Sequence, residues 1–420
     1  MKFGIQMGHN MKSVTSDLFD AIGPKPVILS PRNVRVPAGH QNAEDYLARD
    51  ASQLRYHRKG SEKTNDIYID PQLFSVSRPS KQIARFKYWN TNNEDLATNY
   101  EDTVEHLITL NQMCGTSGII LPGSTTAQIN QDWMNLEHRI IDTAHNKSNK
   151  ENLQPEKPLF ATVALKADVI KDANAIDNMV NAIEGWDVKG IYLVCEHPNN
   201  AYLTDQPLWL LNLMNLVAGI KRAHKTVFVG YASHQMLILA LAKCDYLFAG
   251  NFLNVRRFDT STFEDKDNDK PSRRSTWYYA PQTLSEFKVI TLDLVRQSSN
   301  ADSLLSLLDS PYPEDTFIRE LFGKAMPSDT AYNESSSFKH YLLCLSKQCE
   351  EMTLGSYNQT FDSYNLRLKT AESAISGLRE YGIYDPDRNY AYSLPATYQA
   401  LAAFDKGMGE AMRFSWNTIH

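Results

Sequence analysis

The segment from Lys225 to Phe258, KTVFVGYASHQMLILALAKCDYLFAGNFLNVRRF, limits the fold more than any other part of this chain. Thr226 to Gly230 has the apolar, β-branched make-up of a buried strand, and Ser233 and His234 mark the turn after it. A short apolar helix follows from Met236 to Lys243. A second strand then starts at Asp245 and runs out into a loop carrying Asn251, Asn254, Arg256 and Arg257. Strand, helix and strand in so few residues make a βαβ unit, in which a right-handed crossover joins two parallel strands. Folds assembled from such units collect their polar chemistry where the strands end.

The same alternation recurs upstream. Pro26 to Ser30, Ile67 to Asp70, Gly118 to Leu121, Leu159 to Leu165 and Gly190 to Cys195 are compact apolar runs closed by turn residues, and Thr276 to Ala280 can serve as an eighth strand. Helical spacing separates them: a helix within about Asn42 to Lys63, then Glu94 to Met113, a face of Trp133, Leu136, Ile140 and Ile141, Ala173 to Ile183, and Leu208 to Ala223. The polar runs Asn146 to Glu156 and Glu264 to Arg274 read as loops. Eight strands alternating with helices give an α/β chain with a (β/α)8, TIM-like barrel over residues 1–285. From Leu284 the strand pattern stops. Phe287 to Val295, Ser303 to Leu308, Thr316 to Phe322, Phe338 to Met352, Tyr364 to Tyr381 and Pro395 to Ala402 predict an α-helical C-terminal domain over residues 286–420.

Charge and cysteine usage narrow the partners. A net charge of −6 exerts no global pull on nucleic acid or an anionic membrane, so a nucleic-acid site would have to be a local basic patch. Arg78, Lys81, Arg85 and Lys87, interleaved with Phe86, Tyr88 and Trp89, are the one such segment that stands out. No apolar run approaches the roughly 20 residues of a membrane span, and the first residues lack the apolar stretch of a secretory signal, which predicts a cytoplasmic protein with no membrane partner. Five scattered cysteines suit reduced thiols. His340, Cys344 and Cys349 share one helical segment, but their spacing matches no familiar zinc pattern, and no metal is expected. Gly-rich phosphate loops are absent, so no cofactor is expected either.

On the barrel reading, residues at the strand ends share one rim. Asp70 and Glu196 are the candidate catalytic carboxylates; Arg32, Ser233, His234, Asn251, Arg256 and Arg257 are the candidate binding residues. Each has a structural alternative. Asp70 can cap a turn before Pro71, Glu196 with His197 can face solvent, His234 can cap the helix after it, and the arginines can pair with Asp259 or Glu264.

Two stretches resemble the tRNA-guanine transglycosylase family, whose members exchange a guanine for a 7-deazaguanine base on a (β/α)8 barrel and include a DNA-modifying branch. Ile67-Tyr68-Ile69-Asp70-Pro71-Gln72-Leu73-Phe74-Ser75 is similar to the family's strand ending in Asp-Ser-Gly-(Gly/Ala)-Phe. Phe228 to Ser233, Leu237 to Lys243, Asp245 and Asn254-Val255-Arg256-Arg257 resemble its strand-helix-strand segment with an Asn- and Arg-bearing loop. The resemblance implies a pentosyltransferase-type protein acting on or binding a nucleobase in tRNA or DNA, with Asp70 at the base. It breaks at three places. Phe248, or Ala249 with a one-residue shift, stands where the family's nucleophilic aspartate would fall; Gln72-Leu73 replaces the small residues after Asp70; and the family's Cys/His zinc cluster is missing. Base exchange by double displacement needs a carboxylate to hold the ribosyl group. Three expectations follow: a transglycosylase-like enzyme with its nucleophile elsewhere, with Glu196, Asp245 and Asp259 to test; a non-catalytic barrel binding nucleic acid or, through its C-terminal helices, a partner protein; or a glycoside hydrolase using Asp70 and Glu196, whose carboxyl groups would then lie about 5 to 10 Å apart.

Overall fold

The N-terminal segment decides how the barrel is assembled. In the computed structural model, which describes residues 1–37, 39–40, 42–55, 64–75, 80–89, 96–150, 157–264 and 275–419, the first strand is Lys2–Gln6 (β1). The next strands are Val27–Leu29 (β2), Ile67–Ile69 (β3), Ile119–Ile120 (β4), Leu159–Leu165 (β5), Gly190–Cys195 (β6), Thr226–Val229 (β7) and Tyr246–Ala249 (β8). All eight are parallel and lie in the order β3-β2-β1-β8-β7-β6-β5-β4. The Ser117 amide donates to the Ile67 carbonyl at 2.8 Å and brings β4 up to β3, so the sheet is a nearly closed (β/α)8 barrel.

The count of eight holds, but one member differs from expectation. Trp277–Ala280 (β9) is not a barrel strand; it pairs antiparallel with Ser285–Lys288 (β10) in a separate hairpin, and β1 takes the eighth place. Local pattern conceals β1 because its centre is Gly4, a poor strand former. Packing requires that glycine: a Cβ on Gly4 would lie 2.2 Å from Cε1 of Phe248, whose ring fills the barrel beside it. Tyr68, Phe160, Phe228 and Tyr246 complete this aromatic layer, with Phe160 and Phe228 stacked at 4.4 Å.

Helices Lys12–Ile22 (α1), Ala43–Arg55 (α2), Leu96–Met113 (α3), Gln131–Lys150 (α4), Ala167–Lys171 (α5), Ala173–Glu184 (α6) and Pro207–Arg222 (α7) surround the barrel. The crossover between β7 and β8 is a buried 3₁₀ helix, His234–Ala240, rather than an α-helix. Sixteen residues between two parallel strands, all buried from His234 to Ala242, leave room for a tight connection and no solvent-facing stripe. Helix α4 runs on through Asn146 to Lys150, where polar composition predicts a loop; composition marks exposure, and an exposed helical face is equally polar.

Past the hairpin come Val289–Gln297 (α8), Ala301–Leu308 (α9), Glu334–Glu351 (α10), Tyr357–Glu380 (α11) and Leu394–Ser415 (α12), a C-terminal helical region as expected. Two expected helices change: Phe287 and Lys288 belong to β10, and only a 3₁₀ turn, Thr316–Ile318, forms where a helix to Phe322 is predicted. Helix α10 packs on α1, β1 and β9, and α12 lies along α7. Residues of these helices share one apolar core with the barrel, and a smaller core joins the hairpin to α8, α9 and the end of α11. No described helix is long and apolar enough to cross a membrane. The expectations resting on His57, Arg58, Lys59, Arg78 and Glu94, and on the stretches 151–156 and 265–274, lie outside the described residues.

Candidate functional site

Asp70 follows β3 directly and sits inside the mouth of the barrel, fully buried. Three groups converge on its Oδ2: Tyr231 Oη at 2.6 Å, Tyr192 Oη at 3.0 Å and Gln6 Nε2 at 3.4 Å. The Gln72 amide donates to Oδ1 at 3.0 Å. Gln72 extends the network, its Nε2 reaching Ser30 Oγ at 2.6 Å and Tyr231 Oη at 3.1 Å while its Oε1 accepts from the Arg32 amide. Burial pushes the Asp70 carboxyl up to about 6, against the downward pull of Tyr231, Gln72, Tyr192 and Gln6. The network also accommodates the proton. Tyr192 Oη lies 3.2 Å from Gln6 Oε1, so the hydroxyl can turn to donate there and accept from a protonated Asp70.

Two of these residues hold unusual backbone. Gln72 has φ +59° and Tyr231 φ +54°, a left-handed conformation that bulky side chains adopt at a cost of order 1–3 kcal/mol. The strain aims Tyr231 across the mouth, where Phe74, Phe258 and Phe263 pack on its ring at 6.2, 5.5 and 5.7 Å between centroids. All four rings are buried. Asp70 is therefore joined through Tyr231 to a buried aromatic cluster, and its hydrogen-bond partners among the described residues include tyrosines and no second carboxylate.

Glu196 belongs to a different cluster. Its carboxylate takes Lys166 Nζ at 2.8 Å, the Thr260 amide at 3.2 Å and the Thr260 hydroxyl, and its backbone bridges to Phe258. These contacts fasten the loop after β8 to the end of β6. No hydrogen bond among the described residues joins Glu196 to the Asp70 network. Arg257 lies in the same cluster, donating to the Asn200 carbonyl and standing 3.8 Å from Asp259. His197 is buried against Trp209 with its imidazole pushed down to about 4 by burial, so it is neutral.

Ser233, His234, Asn251 and Arg256 collect along the seam between the barrel and the C-terminal region. Ser233 caps the 3₁₀ helix by accepting from the Gln235 amide at 3.3 Å, and Asn251 Nδ2 donates to the His9 carbonyl at 2.8 Å. The His234 ring sits among Tyr279, Tyr341, Tyr390 and Tyr202, and burial pushes it down to about 4. Arg256 packs 3.4 Å from the Tyr341 ring centroid, donates to the Gly250 carbonyl at 2.9 Å and reaches Glu286 at 3.4 Å. Glu286 also takes Arg388 at 2.6 Å. Burial alone would push Glu286 upward, but Arg388, Arg256 and His234 outweigh it and hold the carboxyl at about 2. This seam floors a cleft of about 570 Å³ lined by His9, Asn251, Arg256, Trp277, Glu286 and Arg388 among others.

Of the residues singled out by sequence, only Arg32 joins Asp70, and it does so through its backbone and Gln72; its guanidinium lies 5.9 Å from the Phe263 ring. The partners that sequence reasoning missed are Gln6, Tyr192 and Glu286, and for Tyr231 it missed the contact with Asp70. Gln6 and Tyr192 each place a polar group within a run of apolar strand residues, a signal that was available. Glu286 carried no local signal, because its partners lie 30 and 102 residues away. No protein-family model matches this chain, and no curated protein matches it.

Proposed function

We propose that this chain is a transglycosylase-like barrel that binds nucleic acid at its C-terminal rim without exchanging bases through a covalent intermediate. The observation that carries this reading is the aromatic cluster on Asp70's own donor: Phe74, Phe258 and Phe263 pack around Tyr231, whose hydroxyl binds Asp70, and all four rings are buried where a base would have to approach that carboxyl. Phe248 and Ala249, the two residues that the resemblance aligns with the family's nucleophile, are both buried, Phe248 within the aromatic layer. Glu196, the other candidate carboxylate, is taken up by Lys166 and Thr260, which also speaks against a glycosidase pair.

The rim supports a nucleic-acid partner over a protein one. Residues 80–89 follow β3 and lie on the same barrel end as the Arg257 loop, since the Ser80 amide donates to the Phe263 carbonyl at 3.1 Å and Tyr88 Oη to the Pro71 carbonyl at 3.0 Å. Lys81, Arg85 and Lys87 are exposed there, over buried Phe86 and Tyr88 and half-buried Trp89. A basic strip anchored by aromatics is the local patch that a chain of net negative charge needs to hold a phosphate backbone.

Fluorescence anisotropy with labelled tRNA, single-stranded DNA and duplex DNA over a salt series tests the binding. At least one should bind, weakening with salt, and the Lys81→Glu/Lys87→Glu pair should weaken it by about tenfold or more. Absence of binding to all three at low salt overturns the proposal. Incorporation of labelled guanine into tRNA or DNA, lost in Asp70→Asn, overturns its non-catalytic half.

A further inference from the structure

Cys344 and His340 lie one turn apart on α10, four residues in sequence and therefore on one helical face. Asp315, just before the 3₁₀ turn at Thr316, reaches the same point from outside the helix. Its Oδ2 is 2.6 Å from His340 Nδ1 and 3.8 Å from Cys344 Sγ, and Sγ is 3.6 Å from Nδ1. All three residues are buried. From this cluster we infer a binding site for one divalent, zinc-type metal ion, with Asp315, His340 and Cys344 as ligands.

Four observations converge on it. The first is proximity: Asp315 Oδ2, His340 Nδ1 and Cys344 Sγ lie within 4 Å of one another, and Sγ sits beside the imidazole, 3.6 Å from Nδ1 and 4.0 Å from Nε2, so the thiol has to swing toward Nδ1 to reach the about 2.3 Å of a zinc–sulfur bond. The oxygen–nitrogen pair, a direct hydrogen bond at 2.6 Å, has to open to about 3.3 Å as the ion replaces the proton between them. The second is an orphan: Asp315 Oδ1 is buried with no hydrogen-bond partner, a cost that a second oxygen–metal contact or a metal-bound water removes.

The third is orientation. His340 Nε2–H donates to the Tyr279 carbonyl at 2.5 Å, which leaves Nδ1 turned toward the cluster, as in ligating imidazoles held by an outer acceptor. The fourth is charge. A carboxylate, a thiolate and a neutral imidazole carry two negative charges, which balance a divalent cation in a place where a net charge could not be kept. Ser310 Oγ, 3.9 Å from Cys344 Sγ, is a further donor beside the cluster. Cys349, which shares the helix, is not part of the site. The ion would tie α10 to the segment before it and, through Tyr279, to the hairpin strand β9.

The full-length protein, stripped with chelator and reloaded with Zn²⁺ or Co²⁺, provides the test. One equivalent of tightly held metal is expected by elemental analysis, with a thiolate-to-cobalt charge-transfer band in the Co²⁺ form. The band should vanish in Cys344→Ser and persist in Cys349→Ser. Zn²⁺ should also raise the melting temperature of the wild-type protein, because it binds the folded state alone. Retention of well under one equivalent, absence of the thiolate band in the wild-type Co²⁺ form, or its persistence in Cys344→Ser overturns the inference. The wild-type measurements decide the matter even where a variant fails to fold.

Discussion

Replacing Asp70 by Asn tests the buried network through its pH dependence. Asp70 moves from an ordinary value of 3.8 to about 6 in the folded chain, chiefly because burial disfavours the carboxylate. Between those values the folded protein keeps a proton that the unfolded chain has lost, so this group's contribution is fully present below about pH 4 and is lost as pH rises through about 6. The displacement corresponds to about 3 kcal/mol. Asp70→Asn is neutral throughout and has no such loss. Its amide would instead face the Gln72 N–H that now donates to Oδ1, an offset of about 1–3 kcal/mol that does not vary with pH. Urea unfolding of both proteins from pH 4 to pH 7 should therefore show the stability of the variant rising relative to wild type by about 2.4 kcal/mol, most of that displacement. Taking the difference removes the other titrating groups. A difference that stays flat, or runs the opposite way, refutes the placement of Asp70 as a buried carboxyl held mainly against desolvation.

Tyr231→Phe removes the 2.6 Å donor to Asp70 and should cost about 1–3 kcal/mol at pH 7 and markedly less at pH 4, where the carboxyl is protonated, as read by urea unfolding at the two pH values. Arg256→Met leaves Glu286 buried with Arg388 alone and should destabilise by about 3–5 kcal/mol, with Glu286→Gln in the same chain recovering part of it in a double-mutant cycle. Because Glu286 is held at about 2, its contribution is present above its ordinary carboxylate range and is lost as pH falls toward 2; Glu286→Gln should flatten the acid limb of the stability profile. Gly230→Ala places a Cβ 2.5 Å from Tyr192 Oη, and thermal melting should show a loss of about 1–3 kcal/mol as that ring is pushed away from Asp70.

Much of the barrel is a local property of the chain. Runs such as Leu159 to Leu165 and Gly190 to Cys195 are buried on both faces, so their apolar composition declares them strands without reference to anything distant. The rim position of Asp70 follows in the same way, from a polar residue closing an apolar run. Other features exist only once the sheet has closed. Lys2–Gln6 takes the eighth barrel place with Gly4 packed against Phe248, and Trp277–Ala280 pairs outside the barrel with Ser285–Lys288. Neither fact is written in the residues beside either segment. The candidate site divides along the same line. Sequence alone singled out Asp70 and Arg256 as rim candidates, while the folded chain decided that Asp70 faces Tyr192 and Tyr231, more than a hundred residues distant. It likewise turned Arg256 and His234 from rim groups into the packing of a seam, and brought Asp315 to His340 and Cys344. Periodicity reports which faces of an element are buried; what those faces meet is set by closure of the barrel and by the helices that pack against it.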